Sequence, residues 1–199
     1  MLLEISGLAG TPGGPFNLSV DAGECVVISG PSGIGKSLLL RMIADLDRNE
    51  GTASLNGARR EDMPAPQWRR QVTYVAAESG WWADTVREHM LPGDAAASLL
   101  PRLGLNEQLL DAPVSQLSTG ERQRLALIRA IIRKPLVLLL DEPTSALDGE
   151  SALRVETLLR ELGRAGAGMM VVSHNEQQAQ RIATRRYHMT AGRLTEIAA

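Results

Sequence analysis

Gly30-Pro31-Ser32-Gly33-Ile34-Gly35-Lys36-Ser37 is the stretch on which the reading of this chain turns. Its pattern is Gly, four free positions, Gly, Lys and Ser. Residues 24–29 (ECVVIS) before it predict a buried strand, and residues 36–44 (KSLLLRMIA) after it predict an apolar helix. Between such elements the glycines let the backbone turn tightly with its N–H groups pointing inward, at the positive end of the helix. That is a cradle for phosphate. Of the 21 lysine and arginine residues only Lys36 and Lys134 are lysines. The compact ammonium of Lys36 suits the β and γ phosphates of a nucleotide better than a planar guanidinium does. Ser37 is placed to offer its hydroxyl to Mg²⁺, with waters filling most of the octahedron.

A second element lies at residues 136–140 (LVLLL), an unbroken apolar run that predicts a central parallel strand buried on both faces, followed by Asp141 and Glu142. Ligands of open α/β sheets bind beyond the carboxyl ends of the strands, so both carboxylates are expected beside the loop. Asp141 is assigned to Mg²⁺ through its water shell, and Glu142 to orienting or deprotonating the attacking water. A kinase or a small GTPase carries these two elements as well. Between them stands Leu117-Ser118-Thr119-Gly120-Glu121. Ser118 and Glu121 have capping-box spacing, and Leu125, Ile128, Ile131 and Ile132 fall on one face of the helix expected over residues 122–133. The start of that helix, with Ser118 and the Gly120 backbone, is a second anion site. One nucleotide seldom needs two helix starts from one chain, so the second is expected to serve another subunit.

On these residues the chain resembles the ATP-binding subunit of an ABC transporter along nearly its whole length. Residues 28–45 and 116–148 are most similar to small bacterial ATPases of the iron-export type. The resemblance implies an α/β fold: a P-loop NTPase core with a mainly parallel central sheet, a small N-terminal antiparallel β portion and an inserted α-helical lobe. It implies one domain over residues 1–199, with the core at about 1–76 and 135–199 and the lobe at about 77–134. It implies ATP and Mg²⁺ as ligands and hydrolysis of ATP. Two copies are expected to close head to tail over two ATP, so that Ser118, Gly120 and Glu121 of one face the nucleotide held by the loop from Gly30 to Leu38 of the other. A separate transmembrane permease is the further partner, which places the chain in the cytoplasm on the inner face of the membrane. Ser145 to Asp148 resembles the loop crossing that dimer interface, and His174, after a strand expected over residues 169–173, resembles the histidine that touches the γ-phosphate.

The chain departs from the family pattern in several places. Ala77, after a strand expected over residues 71–76, stands where the family carries a glutamine, and Glu78 is expected to reach the metal by a one-residue shift. Leu38 replaces a second hydroxyl after Ser37. Thr119 and Glu121 replace a glycine and a glutamine. Residues 8–16 (LAGTPGGPF) offer no aromatic to stack on adenine, Phe16 lying late for that role.

Composition agrees with these readings. With 199 residues and 44% apolar content the chain can bury one substantial α/β core with a small helical lobe, whose short helices are expected in residues 93–110. Residues 163–168 read as a turn. The longest apolar run is far shorter than the roughly 20 residues that span a bilayer, and the first residues lack the pattern of a signal peptide. A single cysteine, Cys25, precludes an internal disulfide and points to a reducing compartment. A net charge of -2 gives no electrostatic case for nucleic acid, and the pairs Arg59-Arg60, Arg69-Arg70 and Arg185-Arg186 read as solvated faces. Trp81 and Trp82 are unusual in a chain with 3% aromatics; at least one is expected to be exposed and to line the docking groove for the permease. The alternative is a soluble ATPase of the same family acting in cofactor assembly or another non-transport process. No heptad insertion, tandem second ATPase or zinc-type cysteine cluster points further that way.

Overall fold

The computed structural model describes residues 1–93 and 95–198. Among them, β1 (Leu3–Gly10), β2 (Gly13–Val20), β4 (Glu50–Leu55) and β5 (Ala58–Arg59) form an antiparallel sheet in the order β2-β1-β4-β5. The larger sheet contains β3 (Cys25–Ser29), β6 (Val72–Val75), β7 (Val137–Asp141), β8 (Gly168–Val172), β9 (Arg185–Thr190) and β10 (Arg193–Ile197). Its order is β10-β9-β3-β8-β7-β6, parallel throughout except for β10. The helices are α1 (Lys36–Ile43), α2 (Ala65–Gln71), α3 (Ala95–Leu99), α4 (Thr119–Ile131), α5 (Gly149–Arg164) and α6 (Glu176–Ile182). The mainly parallel sheet, the N-terminal antiparallel portion and the helical insertion are those expected from the sequence.

Strand alternation decides what faces the site. In β7, Val137 and Leu139 join α1 and the antiparallel sheet in one buried cluster, whereas Leu138 and Leu140 join α4 and α5 in the other. The next position on the α1 side is Asp141, which therefore emerges toward the start of α1. In β6 the same alternation puts Val72 and Tyr74 on the α1 side and Val75 on the other. Between β6 and β7 the described residues contain no strand, only α3, α4 and short 3₁₀ turns. Leu100, Leu103, Leu110 and Leu117 of this insertion share a cluster with Val75, Leu138 and Val171, so it packs on the sheet instead of enclosing a core of its own. Short helices occur within the stretch where they were expected, apart from Asp94, which lies outside the described residues.

Two of the three arginine pairs are not solvated faces. Arg60 is buried and donates to the Met42 carbonyl at 3.1 Å, near the end of α1. Arg186 is buried, and its guanidinium donates to the Glu176 carboxylate at 2.6 Å. Cationic side chains near carbonyl ends and carboxylates are held as structure, and a charge run alone does not reveal that. Residues 163–168 are likewise more than a turn: Gly163 belongs to α5 and Gly168 opens β8.

Candidate active site

The loop from Gly30 to Gly35 joins β3 to α1 with two residues that only glycine suits. Gly30 has φ 142°, and a Cβ there would lie 2.5 Å from the Met189 carbonyl oxygen; Gly35 has φ 107° and no room beside Pro12. α1 begins without a side-chain cap, so its first N–H groups remain directed into the loop. Lys36 is buried, and its Nζ donates to the carbonyls of Gly30 at 2.9 Å and Pro31 at 2.8 Å and to His174 Nε2 at 3.2 Å. Burial pulls the Lys36 pKa below the ordinary lysine range, while Glu142 and Asp141 pull it back up. The ammonium thus sits at the centre of the loop, facing both carboxylates.

A cavity of 580 Å³ lies against this loop. Lys36, Ser37, Asp141, Glu142 and His174 all line it, brought together from the carboxyl ends of neighbouring strands. Glu142 takes φ 50° at the end of β7, an uncommon conformation for a residue with a Cβ, and its N–H donates to the Val172 carbonyl at 3.0 Å. Its Oε1 is buried without a hydrogen-bond partner, although His174 Nε2 lies 3.3 Å away in poor alignment. Burial raises the Glu142 pKa, an effect that His174 partly offsets. A half-buried carboxylate with an open oxygen and a raised pKa is suited to taking a proton from water. Asp141 is buried and accepts a hydrogen bond from the Tyr74 hydroxyl at 2.9 Å. Burial first, and Asp141 second, push the Tyr74 hydroxyl well above the usual tyrosine range.

The oxygen donors also suit Mg²⁺. Ser37 and Asp141 offer a hydroxyl and a carboxylate in one cavity, and among the described residues no cluster of three or more His, Cys, Asp or Glu could form a protein-only cage. A small, hard cation that keeps several waters and shares phosphate oxygens needs no more than this.

Ser118, Thr119 and Gly120 do not line that cavity. They open α4 with a capping box: Ser118 Oγ accepts from the Glu121 N–H at 3.2 Å, and Glu121 Oε2 accepts from the Ser118 N–H at 2.8 Å and hydroxyl at 2.7 Å. These bonds hold the Glu121 carboxyl below its ordinary pKa. A Cβ on Gly120 would lie 3.1 Å from the Ala146 carbonyl, so the glycine lets α4 pack against the loop from Ser145 to Asp148. Glu78 is not brought to the cavity either. Ala77 lines it and Glu78 is exposed, because β6 ends at Val75 and the turn that follows presents residue 77 inward. Phe16 is buried in the core and cannot stack on a base.

Sequence reasoning missed two residues. Gln123 of α4 donates to the Glu142 carbonyl at 2.8 Å and accepts from the Ala146 N–H at 3.2 Å, clamping the turn that carries Glu142. Nothing in the helical pattern distinguishes it from a solvent-facing glutamine. Tyr74 carried a weak signal, a hydroxyl on the α1-facing alternation of an otherwise apolar strand. The other two histidines lie outside the cavity lining: His89 Nε2 accepts from the Trp82 N–H at 2.8 Å, and His188 Nδ1 lies 3.1 Å from Ser29 Oγ. The lone Cys25 is buried, and burial pushes its thiol up to about 12.

A glycine cradle with its own lysine, facing two carboxylates across the end of a parallel sheet, defines a P-loop nucleoside-triphosphatase. Residues 14–145 match the ABC transporter family, and the chain belongs to that family, among its ATP-binding ATPase subunits. The arginine transport ATP-binding protein ArtP of Haemophilus influenzae is 34% identical, over 92% of this chain and 84% of its own. The glutamine transport ATP-binding protein GlnQ of Bacillus subtilis is 35% identical, over 91% and 81%. In fold, the chain matches a dimeric post-hydrolysis state of the ATP-binding cassette MJ0796 bound to ADP and Pi, with a TM-score of 0.86 at 24% identity over 100% of both chains.

Proposed function

We propose that this chain is the motor subunit of a transporter: two copies close head to tail over two ATP, hydrolysis opens them, and the motion drives a separate permease with membrane-spanning helices. The observation that carries this reading is that the capped start of α4 stays outside the cavity lined by Lys36, Ser37, Asp141, Glu142 and His174. A second copy is what gives that helix start a phosphate to bind. Lys36 and the N–H groups of the loop from Gly30 to Leu38 bind the β and γ phosphates. Ser37 and Asp141 hold Mg²⁺, which when bound spreads the charge of the phosphate oxygens. Glu142 orients the attacking water and accepts its proton, and His174 contacts the γ-phosphate. The loop from Ser145 to Asp148 lies at the dimer interface, where the Gly120 contact ties it to the helix start of the same copy. The helical lobe, residues 77–134, transmits closure to the permease. Among the described residues no helix is long and apolar enough to cross a membrane, so membrane attachment falls to that partner.

Trp82 marks the docking surface. It is 68% exposed, while Trp81 is partly covered; the Arg129 guanidinium lies 4.7 Å from the Trp81 ring and 4.8 Å from the Trp82 ring. Rigid, exposed aromatics over a cation are typical anchors for a partner. The test is to tag the chain in its own host, solubilise the membranes in mild detergent and identify what copurifies. A partner with several spans of about 20 apolar residues supports the transporter reading. A soluble partner alone replaces it with the assembly-factor reading.

A further inference from the structure

We infer that Tyr74 is a positioning residue for the metal: its hydroxyl fixes the Asp141 carboxylate so that one oxygen is kept for Mg²⁺ and its waters. The inference rests on the nucleotide and Mg²⁺ reading of the site. Tyr74 and Leu139 are register partners in the parallel β6–β7 pair, which places Tyr74 two positions before Asp141 on the α1 side of the sheet. From there the hydroxyl reaches Asp141 Oδ2 at 2.9 Å. The phenol O–H donates and the carboxylate oxygen accepts. Among the described residues no other side chain donates to Asp141, which is 6% exposed. The terminal torsion of an aspartate is broad, so without this bond the carboxylate can rotate between orientations. With it, Oδ2 is occupied and Oδ1 is left for the ion. Hydrogen bonds that orient a carboxylate beside a metal tune its affinity, and their loss typically costs about 10 to 100-fold.

A merely structural tyrosine would satisfy a buried carboxylate without affecting the metal, and the two roles separate in binding measurements. A fluorescent ATP analogue is titrated into the wild type, Y74F, D141N and the double variant, in EDTA and over a series of Mg²⁺ concentrations, with each fold checked by its melting temperature. Y74F should bind the nucleotide in EDTA within about twofold of wild type while its half-saturating Mg²⁺ rises about tenfold. The double variant should match D141N alone, because Tyr74 acts through Asp141. An unchanged Mg²⁺ midpoint in Y74F, or an equal loss of affinity in EDTA, overturns the assignment. If the wild type itself shows no Mg²⁺ response, the underlying reading of the site fails, a result that is distinct from failure of Y74F alone.

Discussion

The Lys36 ammonium donates to His174 Nε2 across 3.2 Å, joining the loop after β3 to the end of β8. The same nitrogen lies 3.3 Å from Glu142 Oε1. One ring nitrogen cannot accept from the lysine and donate to the glutamate at once, so His174 faces both groups and bonds one of them at a time.

Among these groups the roles divide. Lys36→Ala should lose nucleotide affinity, because the charge at the centre of the cradle is gone. His174→Ala should keep affinity within about threefold and lose roughly 100-fold in hydrolysis, the scale of removing one transition-state contact. Equilibrium binding alongside single-turnover hydrolysis separates the two. Wild-type turnover in His174→Ala would remove the histidine from the chemistry.

Glu142 gives a prediction in pH. Its folded pKa is raised by burial, so the folded chain holds this proton more tightly than the unfolded chain does. The stability it contributes is full below the unfolded value of about 4.3 and is lost as pH rises through the folded one. Glu142→Gln should therefore melt above the wild type near neutral pH, with the gap closing toward about pH 4. Its hydrolysis should fall at least about 100-fold while ATP still binds. Melting curves across pH that run parallel for the two proteins would contradict the burial argument.

Away from the site, Glu156 is fully buried, and Arg181 reaches it with two hydrogen bonds of 2.7 Å. Arg181→Met strands that carboxylate. The expected loss is about 2 to 3 kcal/mol, below that of a fully buried pair because Arg181 is partly solvated. Denaturant unfolding measures it, and adding Glu156→Leu should recover most of the loss if the stranded charge is the cause.

Trp82→Ala should leave stability within about 0.5 kcal/mol, since the side chain is largely exposed. Capture of the membrane partner should fall by about tenfold or more, with ATP binding unchanged. Pull-down yields equal to wild type would move the docking surface elsewhere.

Much of the fold was legible because its signals are local. The strand before Gly30, the helix from Lys36, the apolar run into Asp141 and the capping box at Ser118 each announce themselves within a few residues. Boundaries shifted where a cap extends a helix: α4 begins at Thr119, three residues before the expected start, because the box adds the first turn. Glu78 was expected at the metal by a one-residue shift from the family's glutamine position, but Ala77 lines the cavity and Glu78 is exposed, because the direction of a side chain after a strand depends on the turn that follows it.

The sequence by itself determined the glycine loop with its lysine, the two carboxylates after an apolar strand and the capped start of α4, because the spacing of glycines, lysine and acids dictates backbone geometry over short spans. Only the tertiary structure decided that Tyr74 meets Asp141, that Gln123 clamps the Glu142 turn, that Ala77 instead of Glu78 faces the cavity, and that α4 begins outside it. Those pairings join segments 19 to 67 residues apart. They are set by strand register, by the alternation of faces and by the packing of α4 on the sheet, none of which a local window contains.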